Sequence, residues 1–238
     1  MAWYKEWFGE DYLELYAHRD AGEAEGHVEF VERLFGECEP RAVLDLACGA
    51  GRHTRALRKR GHRALGTDLS LTLLAEGADI PRVAGDMRDL PFADGAFDWV
   101  LNFFTSFGYF ESERENFQVL EEIVRVLKPG GSCLIDLFNT AHVLSTLEPQ
   151  ERQQRAGQTV EIRRWYDQAT RRINKRICLK RKGGQTRTYL ESVRAYGREE
   201  VVNGLNWAGL EIIDIYGGFA GEASSDTSER LIFVGRKL

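Results

Sequence analysis

Short apolar runs alternate with helical patterns over the first 140 residues. The runs are mostly apolar on both faces, as in strands that are buried inside a parallel sheet. Between them, apolar side chains recur at helical spacing, most clearly in Glu113–Leu127. The alternation predicts an α/β fold with a Rossmann-like, mostly parallel sheet and helices on both faces. The predicted strands are 42–46, 63–67, 81–85, 99–103 and 132–137.

After residue 150 the pattern changes to alternating apolar and polar positions. Thr159–Tyr166, Arg172–Arg181 and Thr188–Tyr196 show this period of two and are separated by turn residues. They predict an inserted antiparallel sheet of three strands. A helix at Arg198–Trp207 and an antiparallel pair of strands, 211–216 and 231–236, end the chain.

These patterns divide one globular domain into four segments. Residues 1–40 form an aromatic, N-terminal helical cap or lid. Residues 41–150 form the core of parallel strands and helices, and 151–197 form the inserted sheet. Residues 198–238 complete the core.

The segment Val43 to Leu57, VLDLACGAGRHTRAL, carries the first chemical signal. A buried strand that contains Asp45 is followed by a loop of small residues and then by a helix. Backbone amides of such a loop can approach a ligand closely, and Gly49 or Gly51 can take a positive φ. A strand, a tight loop and a helix N-terminus in this order are typical of a nucleotide-type cofactor site.

Two further acidic residues end the next two strands. Asp68 follows the glycine turn by about 20 residues, the spacing at which a carboxylate binds the hydroxyls of a ribose. The alternative is that Asp68 only caps the helix that begins at Ser70. Asp86 ends the third strand, where it can bind an adenine amino group while Met87 packs on the ring.

Together these motifs resemble the class I S-adenosylmethionine (SAM)-dependent methyltransferases, in the family's order and spacing. The resemblance implies SAM as the cofactor, S-adenosylhomocysteine as its product and a seven-stranded sheet. Ala47 stands where the family usually has glycine. The matching segments, which together span Val43 to Asn139, are VLDLACGAG, GTDLS, GDMRDLPF, FDWVLNFFTSFGYF and RVLKPGGSCLIDLFN.

The resemblance also implies where the cofactor is bound. The backbone of Ala47 and Gly49 would contact the methionine moiety, Asp68 the ribose, and Asp86 with Met87 the adenine. Asn102 and Phe103 would lie beside the sulfonium. The full set of expected cofactor-binding residues is Asp45, Ala47, Gly49, Gly51, Asp68, Leu69, Asp86, Met87, Asn102, Phe103, Tyr16 and Arg19.

NAD is the alternative cofactor, and it fits less well. The dinucleotide fingerprint G-x-G-x-x-G needs a small residue at its last position, where this chain has Thr54. No second mononucleotide-binding half with its own glycine turn follows. Asp86 and the segment Lys128–Gly131 have no role in a dinucleotide site.

The lid and the sheet edge carry the remaining candidates. Tyr12 and Tyr16 lie four residues apart on one helical face, and with Arg19 they can close over the cofactor, Arg19 pairing with its carboxylate. No single catalytic residue follows from the sequence; the weak candidates for a base are His142, Tyr109 and His53. Methyl transfer is an in-line displacement, which we expect to depend mainly on proximity and orientation.

Composition agrees with a globular enzyme in a reducing cytoplasm. The 238 residues are 43% hydrophobic and 29% charged, and no apolar stretch approaches the roughly 20 residues of a membrane span. The N-terminus does not resemble a signal peptide. The cysteines are too widely spaced to predict a metal site or a disulfide framework; they are Cys38, Cys48, Cys133 and Cys178.

Charge leaves the substrate open. The segment from Arg152 to Arg187 has twelve Lys and Arg residues and two acidic residues, although the whole chain carries a net charge of −5. The favoured function is methyl transfer to a small molecule by a monomer or homodimer, with the basic segment a solvated face. One alternative is methylation of tRNA or another nucleic acid bound by that segment. A second is a SAM-binding regulator without turnover.

Overall fold

A computed structural model describes residues 2–16, 21–36, 39–155, 157–181, 183–184 and 186–238. The helices are α1 (Trp3–Trp7), α2 (Glu10–Leu15), α3 (Ala21–Phe35), α4 (Arg52–Lys59), α5 (Leu71–Glu76), α6 (Glu113–Val126), α7 (Thr140–Thr146) and α8 (Arg198–Ala208). The strands are β1 (Ala42–Leu46), β2 (Arg63–Asp68), β3 (Arg82–Ala84), β4 (Phe97–Asn102), β5 (Leu127–Phe138), β6 (Gln150–Arg155), β7 (Gln158–Asp167), β8 (Arg172–Arg181), β9 (Thr186–Arg194), β10 (Leu210–Tyr216) and β11 (Arg230–Lys237).

The larger sheet has seven strands in the order β10-β11-β5-β4-β1-β2-β3. Its pairs from β5 to β3 are parallel, and β11 is antiparallel to both of its neighbours. Both faces are covered, because Val43 of β1 packs with Val28 and Leu57 on one face while Leu44 packs with Leu120 on the other. The predicted α/β sheet is confirmed.

The strand β5 begins earlier than predicted. We expected the segment Lys128–Gly131 to separate the preceding helix from a strand at 132–137, but β5 starts at Leu127, directly after α6. Leu127 pairs with Phe97, and the pairing resumes at Ser132 opposite Trp99. The glycines are therefore accommodated as an irregularity within the strand, where Gly130 has a φ of +73°.

The smaller sheet has four antiparallel strands, β6-β7-β8-β9, so the prediction of three was wrong. The missing strand is β6, whose sequence QERQQR contains no apolar residue. It forms because each of its six residues pairs with β7, from Gln150 opposite Arg163 to Arg155 opposite Gln158. An edge strand held by backbone hydrogen bonds leaves no hydrophobic alternation in the sequence.

The two short N-terminal helices pack against this smaller sheet. Trp7 and Leu15 are buried in a cluster with Val160, Ile162 and Ile177. A hydrogen bond also joins these helices to the larger sheet, because Ser70, which follows β2, donates to the Phe8 carbonyl at 2.6 Å. The two contacts hold α1 and α2 above the carboxyl ends of the parallel strands. In the described ranges, no helix is long and apolar enough to cross a membrane.

Candidate active site

A cavity of about 830 Å³ opens where β1, β2 and β4 end, below α1 and α2. The carboxyl ends of the strands in open α/β sheets are where ligands bind. Nine of the expected cofactor-binding residues line the cavity: Tyr16, Asp45, Ala47, Gly49, Asp68, Leu69, Asp86, Met87 and Phe103. The structure therefore brings most of the residues expected at the cofactor into one place.

The loop after β1 has the backbone that the glycine pattern predicted. Gly49 and Gly51 have φ values of +57° and +78°, and Gly51 is the N-cap of α4. Ala47 shares the left-handed conformation with a φ of +60°, a strained position for a residue other than glycine. The family's usual glycine at this position is thus replaced at some conformational cost. Gly51 shapes the loop but lies outside the cavity lining.

Asp45 is buried at the start of this loop. It accepts a hydrogen bond from the Thr54 hydroxyl at 2.6 Å. Burial raises its pKa to about 6; the bonds from Thr54 oppose that rise, and the nearby Asp68 adds to it. Asp45 therefore ties β1 to the first turn of α4 from within the cavity wall.

Asp68 joins two loops by backbone hydrogen bonds. One carboxylate oxygen accepts from the amide of Gly49 and the other from the amide of Ser70, each at 2.8 Å. Burial raises the pKa of Asp68, although these backbone bonds oppose it. The cap of α5 is Ser70, whose hydroxyl accepts from the Leu73 amide. The alternative role of Asp68 as helix cap is therefore wrong.

Asp86 is held by Arg88. The Arg88 guanidinium donates to both carboxylate oxygens, at 3.0 and 2.6 Å, and the Arg88 amide adds a third hydrogen bond. Burial would raise the pKa of Asp86, but the bonds from Arg88 lower it. Arg88 is fixed in turn by Glu115 and by the face of Phe110. Arg88 lies within the segment GDMRDLPF, but no pattern in the sequence pairs it with Asp86.

The loop after β4 is strained and carries the aromatic wall. Phe104 and Thr105 have φ values of +60° and +56°. The buried carboxylate of Asp136 accepts from the Phe104 amide at 2.8 Å and from Arg230 at 2.7 Å. Asp136 and Arg230 therefore hold two residues in a conformation that L-residues rarely adopt. The segment FFTSFGYF predicted the aromatic residues of this loop, but not that Asp136 and Arg230 hold its backbone.

Asn102, the last residue of β4, is buried and does not line the cavity. Its side-chain amide donates to the Leu46 carbonyl at 3.0 Å, and its side-chain oxygen is buried without a partner among the described residues. Leu46 itself is part of the lining. The expectation that Asn102 lies beside the sulfonium remains a prediction.

The lid side of the cavity is aromatic. Tyr109 contacts the rings of Tyr4 and Phe8, with centroid distances of 6.3 and 5.8 Å. Tyr16 accepts a hydrogen bond from Lys175 of the smaller sheet at 2.7 Å. Arg19, the expected partner of the cofactor carboxylate, lies outside the described residues.

The three candidates for a base lie in different environments. His53 lines the cavity and is 4% exposed. Tyr109 also lines it, and burial raises its pKa. His142 lies on α7, half-buried and outside the lining.

The basic segment is partly neutralised by the lid. Asp11 of α2 is 4% exposed and accepts hydrogen bonds from Arg181, Arg187 and Tyr189. The interpretation of this segment as a solvated face is therefore incomplete, because Arg155, which donates to the Leu15 carbonyl, and these two arginines attach the lid. No local sequence pattern predicts these contacts, which join residues at least 140 positions apart.

Comparison with known proteins agrees with this geometry. Residues 44–135 match the family model described as a methyltransferase domain. A demethylmenaquinone methyltransferase from Mycolicibacterium vanbaalenii is 42% identical over 100 residues, which cover 41% of this chain. The matched segment spans only 42% of that relative.

Solved structures resemble the chain over nearly its whole length. A SAM-dependent methyltransferase from Clostridium acetobutylicum has a TM-score of 0.81 at 18% identity, covering 95% of this chain and 96% of its own. The SAM-bound amino pentose methyltransferase CalS10 from Micromonospora echinaspora has a TM-score of 0.73 at 20% identity, covering 96% and 97%. Residues 44–135 thus match a methyltransferase domain, and the chain has the fold of these SAM-dependent methyltransferases.

Proposed function

We propose that the protein transfers a methyl group from SAM to a small-molecule acceptor. The observation that carries this proposal is the convergence of Asp45, Asp68 and Asp86 with the left-handed loop after β1 on one cavity. These residues come from three successive strand ends. A cofactor with a ribose, an adenine and an amino-acid portion needs such a set of separate polar contacts.

The remaining hydrogen-bonding capacity of the two outer carboxylates supports adenosine recognition. Each carboxylate oxygen has two acceptor sites. Asp68 uses one on each oxygen for Gly49 and Ser70, and the backbone of Leu69 takes a third, so one site is left for a ribose hydroxyl. Asp86 receives three bonds from Arg88, which leaves a single site, as many as one adenine N–H needs.

When bound, SAM supplies an activated methyl group on a sulfonium. The protein's part is then to bind, orient and exclude water. Aromatic faces such as that of Phe103 favour a cation nearby, and the lid residues Tyr4, Phe8 and Tyr12 close the opposite side. A cavity of this volume with an aromatic lid supports an acceptor of small-molecule size.

The finer parts of the proposal follow from the same arrangement. We propose that residues 1–40 act as the lid, that 41–150 and 198–238 form the cofactor-binding core, and that 151–197 anchor the lid. We also propose that the protein acts in the cytoplasm as a monomer or homodimer. We do not propose that this protein shares the methyl acceptor of the demethylmenaquinone methyltransferase. The match to the family model leaves out α1, α2 and β6–β9, which form and hold the lid.

Calorimetry with SAM and S-adenosylhomocysteine tests the cofactor. We expect a Kd in the micromolar range or tighter, and Asp68→Ala should weaken binding more than tenfold, about 1.4 kcal/mol. Asp94→Ala is the control, because that side chain is 82% exposed and lies outside the cavity. No heat of binding in the wild type, or equal affinity in Asp68→Ala, would contradict the assignment.

Two other functions are separated by further measurements. A nucleic-acid methyltransferase should retain RNA in a salt-sensitive way through 152–187. The pairing of Arg181 and Arg187 with Asp11 favours the small-molecule function instead. A regulator should bind SAM tightly yet transfer no label from SAM to any component of a cell metabolite extract.

A further inference from the structure

Two buried histidines at the cavity have no role in the function proposed above. His27 of α3 and His53 of α4 are 8% and 4% exposed, and Nδ1 of His27 lies 3.1 Å from Nε2 of His53. At that distance one N–H···N hydrogen bond joins the rings. Because His53 also lines the cavity, the pair connects the cavity to the protein interior.

Aromatic packing fixes both rings. His53 stacks on Phe103 with a centroid distance of 4.0 Å and an interplanar angle of 15°. His27 stacks on Phe219 at 3.7 Å. Phe103 is one of the two residues that the family resemblance puts beside the sulfonium, so His53 is adjacent to the expected reacting centre.

The charged groups that face the pair are Arg52, Arg230 and Glu23, and Glu23 is itself paired with Arg52. Burial lowers the pKa of His27 to about 4; Glu23 opposes this, while Arg52 and Arg230 add to it. Burial, Arg52 and His27 lower the pKa of His53 well below its ordinary value. Near neutral pH both rings are therefore uncharged. Two neutral imidazoles have two lone pairs, of which the internal hydrogen bond uses one.

We propose that His53, backed by His27, accepts the proton of a hydroxyl group on the methyl acceptor. This inference rests on the proposed function and narrows it to O-methylation. A neutral amine attacks with its own lone pair, and an ammonium group can lose its proton to water before it binds. A hydroxyl instead loses its proton during the transfer and needs a base within the site. Nδ1 of His53 is the nitrogen for this role, because Nε2 is already joined to Nδ1 of His27.

The hydroxyl oxygen forms a bond to the methyl carbon, and the carbon–sulfur bond breaks with its electron pair going to sulfur. The hydroxyl proton moves to Nδ1 of His53, whose Nε2 proton stays in the hydrogen bond to Nδ1 of His27.

The first test compares His53→Gln with the wild type, using labelled SAM and a cell metabolite extract. We expect label on an oxygen atom of the product and a rate at least about 100-fold lower in the variant, with unchanged affinity for S-adenosylhomocysteine by calorimetry. His62→Gln is the matched control, since His62 is 5% exposed but lies outside the cavity lining. Added imidazole should restore part of the rate in His53→Gly.

Two outcomes separate this inference from the proposed function. No product with the wild type overturns both. Product formed equally fast by wild type and His53→Gln, or methylated on nitrogen, overturns only the role of His53.

A second test needs no turnover. Nitrogen-15 NMR of histidine-labelled protein between pH 6 and pH 8 should show two neutral rings, with the His53 proton on Nε2 and a bare Nδ1. His27→Phe, which keeps the contact with Phe219 aromatic, should remove the partner of that Nε2 proton. A His53 proton on Nδ1 in the wild type would overturn the proposal.

Discussion

The two sides of the cavity are built in different ways. The cofactor side, formed by the loops after β1, β2 and β4, is held mainly by backbone groups and buried carboxylates such as Asp68 and Asp136. The lid side is held by side chains that come together from distant parts of the chain. Asp11 meets Arg181 across 170 residues of sequence, and Trp7 meets Glu191 across 184.

This difference predicts that substitutions on the cofactor side destabilise the folded protein more than substitutions on the lid side. Contacts on the cofactor side are part of the seven-stranded sheet and its loops, so breaking them should affect the stability of the whole molecule. Contacts on the lid side join α2 to a separate sheet, and several of the arginines are about half exposed. Changes there should have smaller effects on unfolding.

The largest effect is expected at Asp136. Asp136→Ala removes a fully buried carboxylate, leaves Arg230 without its partner and releases the strained residues Phe104 and Thr105. Breaking a buried pair in this way costs about 3 kcal/mol of unfolding free energy. Urea denaturation measures it, with Asp94→Ala as the exposed control at less than about 1 kcal/mol. A loss below that of the control would contradict the role of Asp136.

A smaller effect is expected at Gly51. Gly51→Ala puts a Cβ 2.0 Å from Cδ1 of Ile80 at a φ of +78°. Left-handed strain and overpacking together should cost about 2 to 3 kcal/mol. Gly61→Ala is the matched control, because its φ is +92° but nothing lies within 4 Å of the new Cβ. If the two variants lose equal stability in urea, Ile80 does not restrict this position.

The cofactor side could be predicted from the sequence because its determinants are local. A buried strand followed by small residues fixes where the loop begins, and acids at the next two strand ends must meet it on one edge. Asp45, Asp68 and Asp86 accordingly line one cavity. The sequence did not predict that Arg88 pairs with Asp86, or that Asp136 pairs with Arg230 under the loop after β4. Nothing in a single sequence ties a strand-end acid to its counter-ion.

The lid side could be predicted only in outline. Aromatic residues at 3, 4, 7, 12 and 16 indicated a lid, but of these Trp7 and Trp3 lie outside the cavity lining and Trp7 packs on the smaller sheet. The strand β6 has no apolar residue, so periodicity could not reveal it. The sequence showed an excess of positive charge in the segment 152–187. It did not show that Asp11, far away in α2, pairs with two arginines of that segment.

The smallest effect is expected at Asp11. Asp11→Asn keeps the shape and the contact with Tyr189 but removes the charge that faces Arg181 and Arg187. Because both arginines are about half exposed, the cost should be only about 1 kcal/mol of unfolding free energy. Glu14→Gln, the matched control, changes a partner of Arg181 that is 38% exposed and should cost less than about 0.5 kcal/mol. A loss at Asp11 as large as that at Asp136 would remove the contrast between the two sides.

The pH dependence of the same variant sharpens this test. Burial would raise the pKa of Asp11, but the hydrogen bonds from Tyr189 and Arg187 outweigh it, so its pKa is lowered from 3.8. A carboxylate whose pKa is lower in the folded state stabilises the protein above its unfolded pKa, and this contribution disappears as the pH falls through the folded value. Urea midpoints of wild type and Asp11→Asn should therefore differ by a constant amount from pH 7 to pH 5 and converge below about pH 4. A difference that persists unchanged to pH 3 would mean that the loss in Asp11→Asn does not come from the charge of Asp11, and would contradict the role of its ion pairs in holding the lid.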